Sequence, residues 1–429
     1  MKILIKTIFL ISLWVTDLSG VSLMVINSGS ETLSRIDLTT GNTDNSFASL
    51  GAMANRMALT EDWIYVVNSG DNNIQKINSH TGQTEAYIYL GVAVNPYDII
   101  INDDKCYVTG AISHQVYQID LVSEIVENSC SVGDNPAGMA IWQNLLFVGN
   151  TDYGSNYTEC SVSVLDLEDF SILATIPVAA NPQYLIEYNG KIHVCCTGNW
   201  ADETGKVLIL DPVQLVTIET IYLGGFPGSL AVLADETVYL GDSMNSGVYA
   251  YNAEDYSVLY DADNPFLPGG SSVCANNENL AVLGGNWGDN FTVRVYDLEE
   301  ELIGEYTVGM YGTQIAFQPE SSSNSDNQMT IPIRDLCNYP NPVLNDKTGR
   351  SFGTTITFSL TTGCSFELSI YNIKGQKIKK FSRDSLSSGR QLIFWNGLNE
   401  SNSPVPGGLY FYTVKADNYI RSAKMLLIR

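Results

Sequence analysis

Residues 64–78 read IYVVNSGDNNIQKIN. An alternating apolar run, a turn of Asn, Asp and Gly, and a second alternating run closing on Asn make the pattern of a tight β-hairpin. The pattern recurs on both sides. LMVINSGSETLSRID closes on Asp37 and CYVTGAISHQVYQID on Asp120. Its second half returns as SVSVLD to Asp166, KVLILD to Asp211, GVYAYN to Asn252 and TVRVYD to Asp297. These closing residues stand 41, 42, 46, 45, 41 and 45 apart, which makes seven units. Helical periodicity is absent.

The connections repeat as well. VNPYDIII, DNPAGMAI, ANPQYLIE and FPGSLAV each open the first strand of the following unit. Four short strands per unit of about forty residues is the pattern of a β-propeller blade. Residues 23–27 begin the first unit at its second strand, and the missing innermost strand reads YGTQIAF at residues 311–317. Pairing the two would close a ring and remove two exposed edges. The expected fold is all-β: a seven-bladed propeller over residues 21–318, closed by 311–317 joining the first blade.

At YVVN (65–68) and YVTG (107–110) the repeat resembles the YVTN family of seven-bladed propellers over residues 21 to about 317. The resemblance implies a fold. It implies no common catalytic set, because fold does not determine function.

Apolar residues at 45% suffice for a core, and 36 Gly with 14 Pro suit a turn-rich chain. From Cys337 onward 12 Lys+Arg face 5 Asp+Glu, leaving 10 basic and 42 acidic residues before it, a net of −32. So acidic a body argues against nucleic acid or anionic membrane as partner. MKILIKTIFLISLWVTDLSG, residues 1–20, has early lysines, an apolar run and small residues at its end, the layout of a secretory signal peptide. No later run is long and apolar enough for a spanning helix, so the mature chain is expected to be exported, without a transmembrane segment. The eight cysteines show no C-x-x-C and no disulfide framework, and Cys195 and Cys196 point to opposite faces of one strand.

Three units carry an enlarged loop after their second strand: GNTDYGSNYTEC (149–160), GNWADETG (198–205) and GNWGDN (285–290). The resemblance places these loops at the ligand-binding mouth of the propeller. Asp152 with Tyr153, Trp200 with Asp202, and Trp287 with Asp289 each set a flat apolar face beside an acceptor, a composition suited to sugars or peptides. The alternative is that each Trp packs over its neighbouring blade and each Asp caps its own turn. A second candidate set opens the inner strands: Arg56, Asp98, Gly138, Tyr184, Leu230, Ser272 and Gln314. Arg56 would suit an anionic group. Three histidines, His80, His114 and His193, form no cluster, and no metal, cofactor or catalytic constellation is expected.

After a polar linker, 319–335, the charge reverses and five strand-like runs suggest a small immunoglobulin-like sandwich over 336–429. This module resembles the type A C-terminal sorting domain of the type IX secretion system. The matching pieces are Tyr339, Pro340, Asn341 and Pro342, residues 355–360, LSIYNIKGQKIK with Gly375, WNG at 395–397, PGGLYFYTV with Gly408 and Tyr410, and the closing KMLLIR with Lys424. Val343 and Asn396 depart from the family pattern. The resemblance implies that the outer-membrane export machinery is a partner and that the product is secreted or attached to the cell surface.

Three functions stand open at this point. The first is a non-enzymatic module binding a protein, peptide or glycan. The others are a lyase or hydrolase acting on extracellular polymer through an acidic channel, and a structural component of a surface layer.

Overall fold

The computed structural model describes residues 21–286, 288–319, 333–339, 343–344, 353–360, 365–383, 389–416 and 419–428. Residues 1–20, expected as a signal peptide, most of the expected linker 319–335, Trp287, Pro340, Asn341 and Pro342 lie outside the described residues. The chain divides into two compact units, residues 1–322 and 323–429. Among the described residues no helix is long and apolar enough to cross a membrane.

The described part of the first unit holds seven four-stranded antiparallel sheets. In six of them the strands follow chain order. In the remaining one Gly312–Phe317 pairs antiparallel with Ser22–Asn27, Ile315 opposite Val25, so residues from the two ends of the unit share a sheet. The innermost strands touch in sequence: Ala54–Leu59, Pro96–Asn102, Pro136–Trp142, Pro182–Tyr188, Pro227–Val232, Ser272–Ala275, Gly312–Phe317, and back to Ala54–Leu59. The arrangement is β-propeller-like. Its cores lie between neighbouring sheets: Tyr65 and Val67 of the second sheet pack with Ile99, Val108 and Ile119 of the third.

Each repeated residue has a local reason. The Asp or Asn closing each third strand accepts backbone N–H bonds from the turn that follows. Asp37 does so from Thr39 and Thr40, Asn78 from His80 and Thr81, and Asp211 from Val213 and Gln214. These are Asx turns, which only a short side-chain acceptor makes. The asparagine ending YVVN, Asn68, is buried and donates to Asn73 Oδ1 and Gln75 Oε1, tying second strand to third. Asn27 and Asn150 repeat this with Ser34 and Ser163. In YVTG, Gly110 takes that place, and Ser113 and Val94 fill the space: a Cβ on Gly110 would lie 2.2 Å from Ser113 Oγ and 2.8 Å from Val94 Cγ1. The Asn of each Asn-Pro connection is left-handed, with φ of 49° at Asn95, 49° at Asn135 and 64° at Asn181, a conformation that asparagine tolerates.

The second unit pairs a three-stranded sheet, Ile333–Tyr339, Thr354–Leu360 and Gly389–Trp395, with a five-stranded one. The latter orders Val343–Leu344, Tyr419–Ile428, Gly408–Ala416, Phe366–Asn372 and Lys377–Arg383. One core joins both, with Phe358 and Trp395 from the first sheet and Phe366, Tyr410, Tyr412 and Met425 from the second. Tyr410 packs edge-on to Trp395 at 5.6 Å and donates its hydroxyl to the Pro406 carbonyl at 2.7 Å. Gly375, at φ 75°, turns the hairpin between Phe366–Asn372 and Lys377–Arg383. Gly408 begins its strand, and Lys424 lies on an exposed position opposite Phe411.

Candidate functional site

In the first unit, the loop after each second strand bonds to the connection that enters the same sheet. Ser69 N donates to the Met53 carbonyl, Asp152 N to Asp134 and Gly198 N to Ala180. Loops and connections therefore share one face. On it, aromatic side chains from three successive sheets form a row. Tyr153, 68% exposed, meets Tyr157 edge-on at 6.0 Å. The Trp200 side chain lies near the Tyr157 hydroxyl, whose pKa burial pushes up. Trp200 stacks on Phe226 of the next connection, ring centres 5.4 Å apart and planes 28° from parallel. Trp200 is 36% exposed, so one part of its surface supports the row while another faces solvent.

The acidic candidates of this face divide. Asp152 is buried, and its Oδ2 accepts the backbone N–H groups of Thr158 at 2.8 Å and Glu159 at 2.9 Å. Its carboxylate shapes the loop. Asp202 is exposed and accepts from Asn199 Nδ2 at 2.9 Å, a bond that holds its carboxyl below the usual range. Asp289 is exposed, and Trp287 lies outside the described residues.

The inner-strand candidates come together. Arg56, Asp98, Tyr184 and Gln314 line one cavity of about 190 Å³, with Ser229, Leu230 and Ser272. A register shift recurs near the start of inner strands, between Ala54 and Arg56, Pro96 and Ile99, Pro136 and Met139, Pro182 and Tyr184, and Pro227 and Leu230. Bulges of this kind re-aim a side chain. The register keeps Ser272 in the ring, opposite Leu283 as Arg56 is opposite Val67, but makes Ser229, not Leu230, the counterpart of Arg56 in the sixth sheet. Pattern alignment misses this by one residue because an apolar run carries no mark of an inserted bulge.

Several ring side chains fasten one sheet to the next. Gln314 Oε1 accepts from Met57 N at 2.6 Å, Asp98 Oδ2 from Met139 N at 2.9 Å, and Ser229 Oγ from Val273 N at 2.8 Å. Gly138 allows the neighbouring inner strand close: a Cβ there would lie 2.5 Å from the Gln183 carbonyl oxygen. Arg56, 4% exposed, crosses to the Tyr184 ring at 4.0 Å and the Tyr97 ring at 5.6 Å. Its Nε is 4.0 Å from Asp98 Oδ1. Burial works against the Arg56 charge, but Tyr184, Tyr97 and Asp98 outweigh it and raise the pKa. Burial pushes the Asp98 carboxyl up, against the pull of Arg56 and of the Met139 and Ile99 N–H groups. The 19% exposure of the Asp98 side chain lies beside this narrow cavity.

His193 is remote from this chemistry. It is 1% exposed, and its Nδ1 lies 2.6 Å from the Tyr251 hydroxyl of the next sheet. A second cavity, of about 420 Å³, is bordered by Tyr239, Tyr260 and Glu300, whose carboxylate both tyrosine hydroxyls already occupy. Among the described residues no group of three or more His, Cys, Asp or Glu is placed to hold a metal ion. Six described cysteines, Cys106, Cys130, Cys160, Cys195, Cys196 and Cys274, are free thiols.

No family model and no curated protein matches the sequence. Solved structures do. Hydrazine synthase of Kuenenia stuttgartiensis aligns with a TM-score of 0.50 at 13% identity, over 61% of this chain and 89% of that one. A functionally unknown protein from Desulfotomaculum acetoxidans DSM 771 reaches 0.53 at 14% identity, over 68% and 100%. U3-55K reaches 0.51 at 15% identity, over 62% and 86%. At such identities the likeness is one of fold, and it agrees with the propeller-like set of sheets.

Proposed function

We propose that this chain is an exported, non-enzymatic binding module: a seven-bladed propeller of YVTN type whose loop-bearing face engages a glycan or peptide, followed by an immunoglobulin-like type IX sorting domain. The row Tyr153–Tyr157–Trp200–Phe226 carries the binding reading. Aromatic side chains from three sheets, with Tyr153 and part of Trp200 exposed, offer an apolar track, and exposed Asp202 in the Trp200 loop supplies an acceptor for hydroxyl or amide N–H. The seven sheets and the pairing of 312–317 with 22–27 support the blade count. The two-sheet second unit supports a sandwich, and the export reading rests on the sequence resemblance of that unit and of residues 1–20.

A glycan and peptide array probed with the full chain tests the binding reading. The Tyr153→Ala/Trp200→Ala variant is expected to keep its melting temperature within a few degrees and lose its array signal. Retained binding by a folded double variant refutes the assignment to this row. Export is tested separately by cell fractionation: a chain lacking residues 337–429 is expected to remain in the periplasm, and its unchanged export would sink the sorting role.

A further inference from the structure

The loop-bearing face of the first unit exposes apolar surface well beyond its aromatic row. Met53, Val92, Ile112, Tyr153, Trp200 and Met244, all in its loops or connections, are each at least 36% exposed. Single exposed apolar residues are ordinary, but these stand on segments tied one to the next. Asn72 Oδ1 accepts from Val94 N at 2.9 Å, Asn135 N donates to His114 Nδ1 at 3.0 Å, and Asn135 Oδ1 accepts from Gly154 N at 3.3 Å. Beyond Trp200 and Phe226, Ser243 N donates to the Phe226 carbonyl and brings the Met244 loop alongside. A ridge therefore runs from Met53, entering the second sheet, to Met244 in the sixth. Met53 is held there at a cost. Its backbone is left-handed, φ 55°, with the side chain in solvent, whereas Phe170 in the same geometry, φ 56°, is buried in a core. Strained residues of this kind cluster at binding sites.

Charge narrows the partner. The seven Lys and Arg of residues 21–319 all lie in strands, and six of them have a carboxylate within 4.0 Å. No loop or connection of this face contains one, while Asp71, Asp134, Glu159 and Asp202 are exposed along the ridge.

We infer that this face docks a basic, partly apolar segment of a partner protein, its Lys or Arg side chains on these carboxylates and its apolar side chains on the ridge from Met53 to Met244. The inference rests on the binding role of the aromatic row and chooses between its two ligand classes. A neutral sugar stacks on flat rings and makes no use of Met53, Val92, Ile112 or Met244. Aliphatic side chains pack best against apolar side chains of another protein, and Met adapts to their shape. An acidic glycan, or a second copy presenting the same face, would set like charge against like. A guanidinium gains further over the Tyr153 and Trp200 rings.

A phage-displayed library of random peptides about 12 residues long, sorted on the full chain, tests the inference. The enriched peptides are expected to carry several Lys or Arg beside apolar residues, and to bind more weakly as salt rises from about 50 to about 500 mM. Asp202→Asn is expected to weaken them about twofold to fivefold, the worth of one exposed ion pair. Met53→Asn is expected to keep the fold and weaken them as well. Glu168→Gln, at the opposite end of the strands, should change nothing. Enrichment of neutral or acidic peptides overturns the inference, as does no enrichment at all. An equal loss with Glu168→Gln also overturns it, because general charge attraction would then explain the binding. A glycan-array signal that Tyr153→Ala/Trp200→Ala abolishes, with no peptide enriched, overturns the basic-segment inference and leaves the aromatic row standing.

Discussion

The Arg56 guanidinium lies 4.0 Å from the centre of the Tyr184 ring, although the two residues sit on inner strands of the second and fifth sheets. Nothing local brings them together. The contact exists because the ring of sheets closes around a narrow centre, and it places a buried cation beside Asp98.

Removing one partner of that buried pair should therefore be costly. Arg56→Met is expected to lose about 3–5 kcal/mol at pH 7.5 in urea unfolding, because Asp98 keeps its burial and loses its counter-charge. Asp98→Asn in the same chain should recover part of the loss, since the amide oxygen still accepts the Met139 N–H. In the single variant the folded pKa of Asp98 rises further above its unfolded value. The deficit should then shrink as pH falls through that folded pKa. A deficit equal at pH 7.5 and pH 5 would contradict this account.

His193 predicts acid sensitivity. Burial lowers its pKa from 6.5 to about 4, whereas the unfolded chain titrates near the ordinary value. A histidine kept neutral in the fold lets the unfolded state bind more protons between those values. Stability present above pH 6.5 is lost as pH falls towards 4. Between pH 7 and pH 5 this group should contribute a loss of about 2 kcal/mol. His193→Phe should flatten that part of the profile, read by urea unfolding at both pH values, at the cost of the Tyr251 bond.

Met53 occupies the left-handed position that Asn95, Asn135 and Asn181 take in other connections, with φ of 55°. It is 61% exposed, so its side chain contributes little packing. Left-handed geometry costs ordinary L-residues about 1–2 kcal/mol. Met53→Asn should stabilise the unit by about 1 kcal/mol, a rise of about 2 °C in melting temperature. An unchanged or lower melting temperature would show that the side chain has a role in contacts.

Gly133 lies against the repeat asparagine Asn150. A Cβ there would meet Asn150 Cγ at 2.6 Å and Cβ at 2.8 Å. Gly133→Ala should displace Asn150 from Ser161 and Ser163 and cost about 1–3 kcal/mol by overpacking. With Asn150→Gly in the same chain, the combined loss should be smaller than the sum of the two, as for residues that share a contact. Additive losses would mean that the two do not interact.

Much of the architecture was legible because its chemistry is local. Each Asx turn closes on its own strand, and the second-strand asparagines Asn27, Asn68 and Asn150 donate to side chains of their own sheet, so the reason for the residue recurs with the repeat. Tyr153 and Trp200 stood out for the same reason, as aromatics in enlarged loops. Their partners Tyr157 and Phe226 did not. Phe226 lies in an ordinary connection, and only the neighbouring sheet makes it the floor under Trp200.

By itself, then, the sequence determined the repeat, the strand order and the meeting of residues 311–317 with the first unit. Period-two alternation and turn chemistry act over a few residues and leave their mark in order. Tertiary structure alone decided which side chains converge on the centre. One-residue bulges set Ser229 rather than Leu230 in the ring, and closure joined Arg56 to Asp98 and Tyr184. Those relationships depend on distances across a ring, and no linear pattern encodes them.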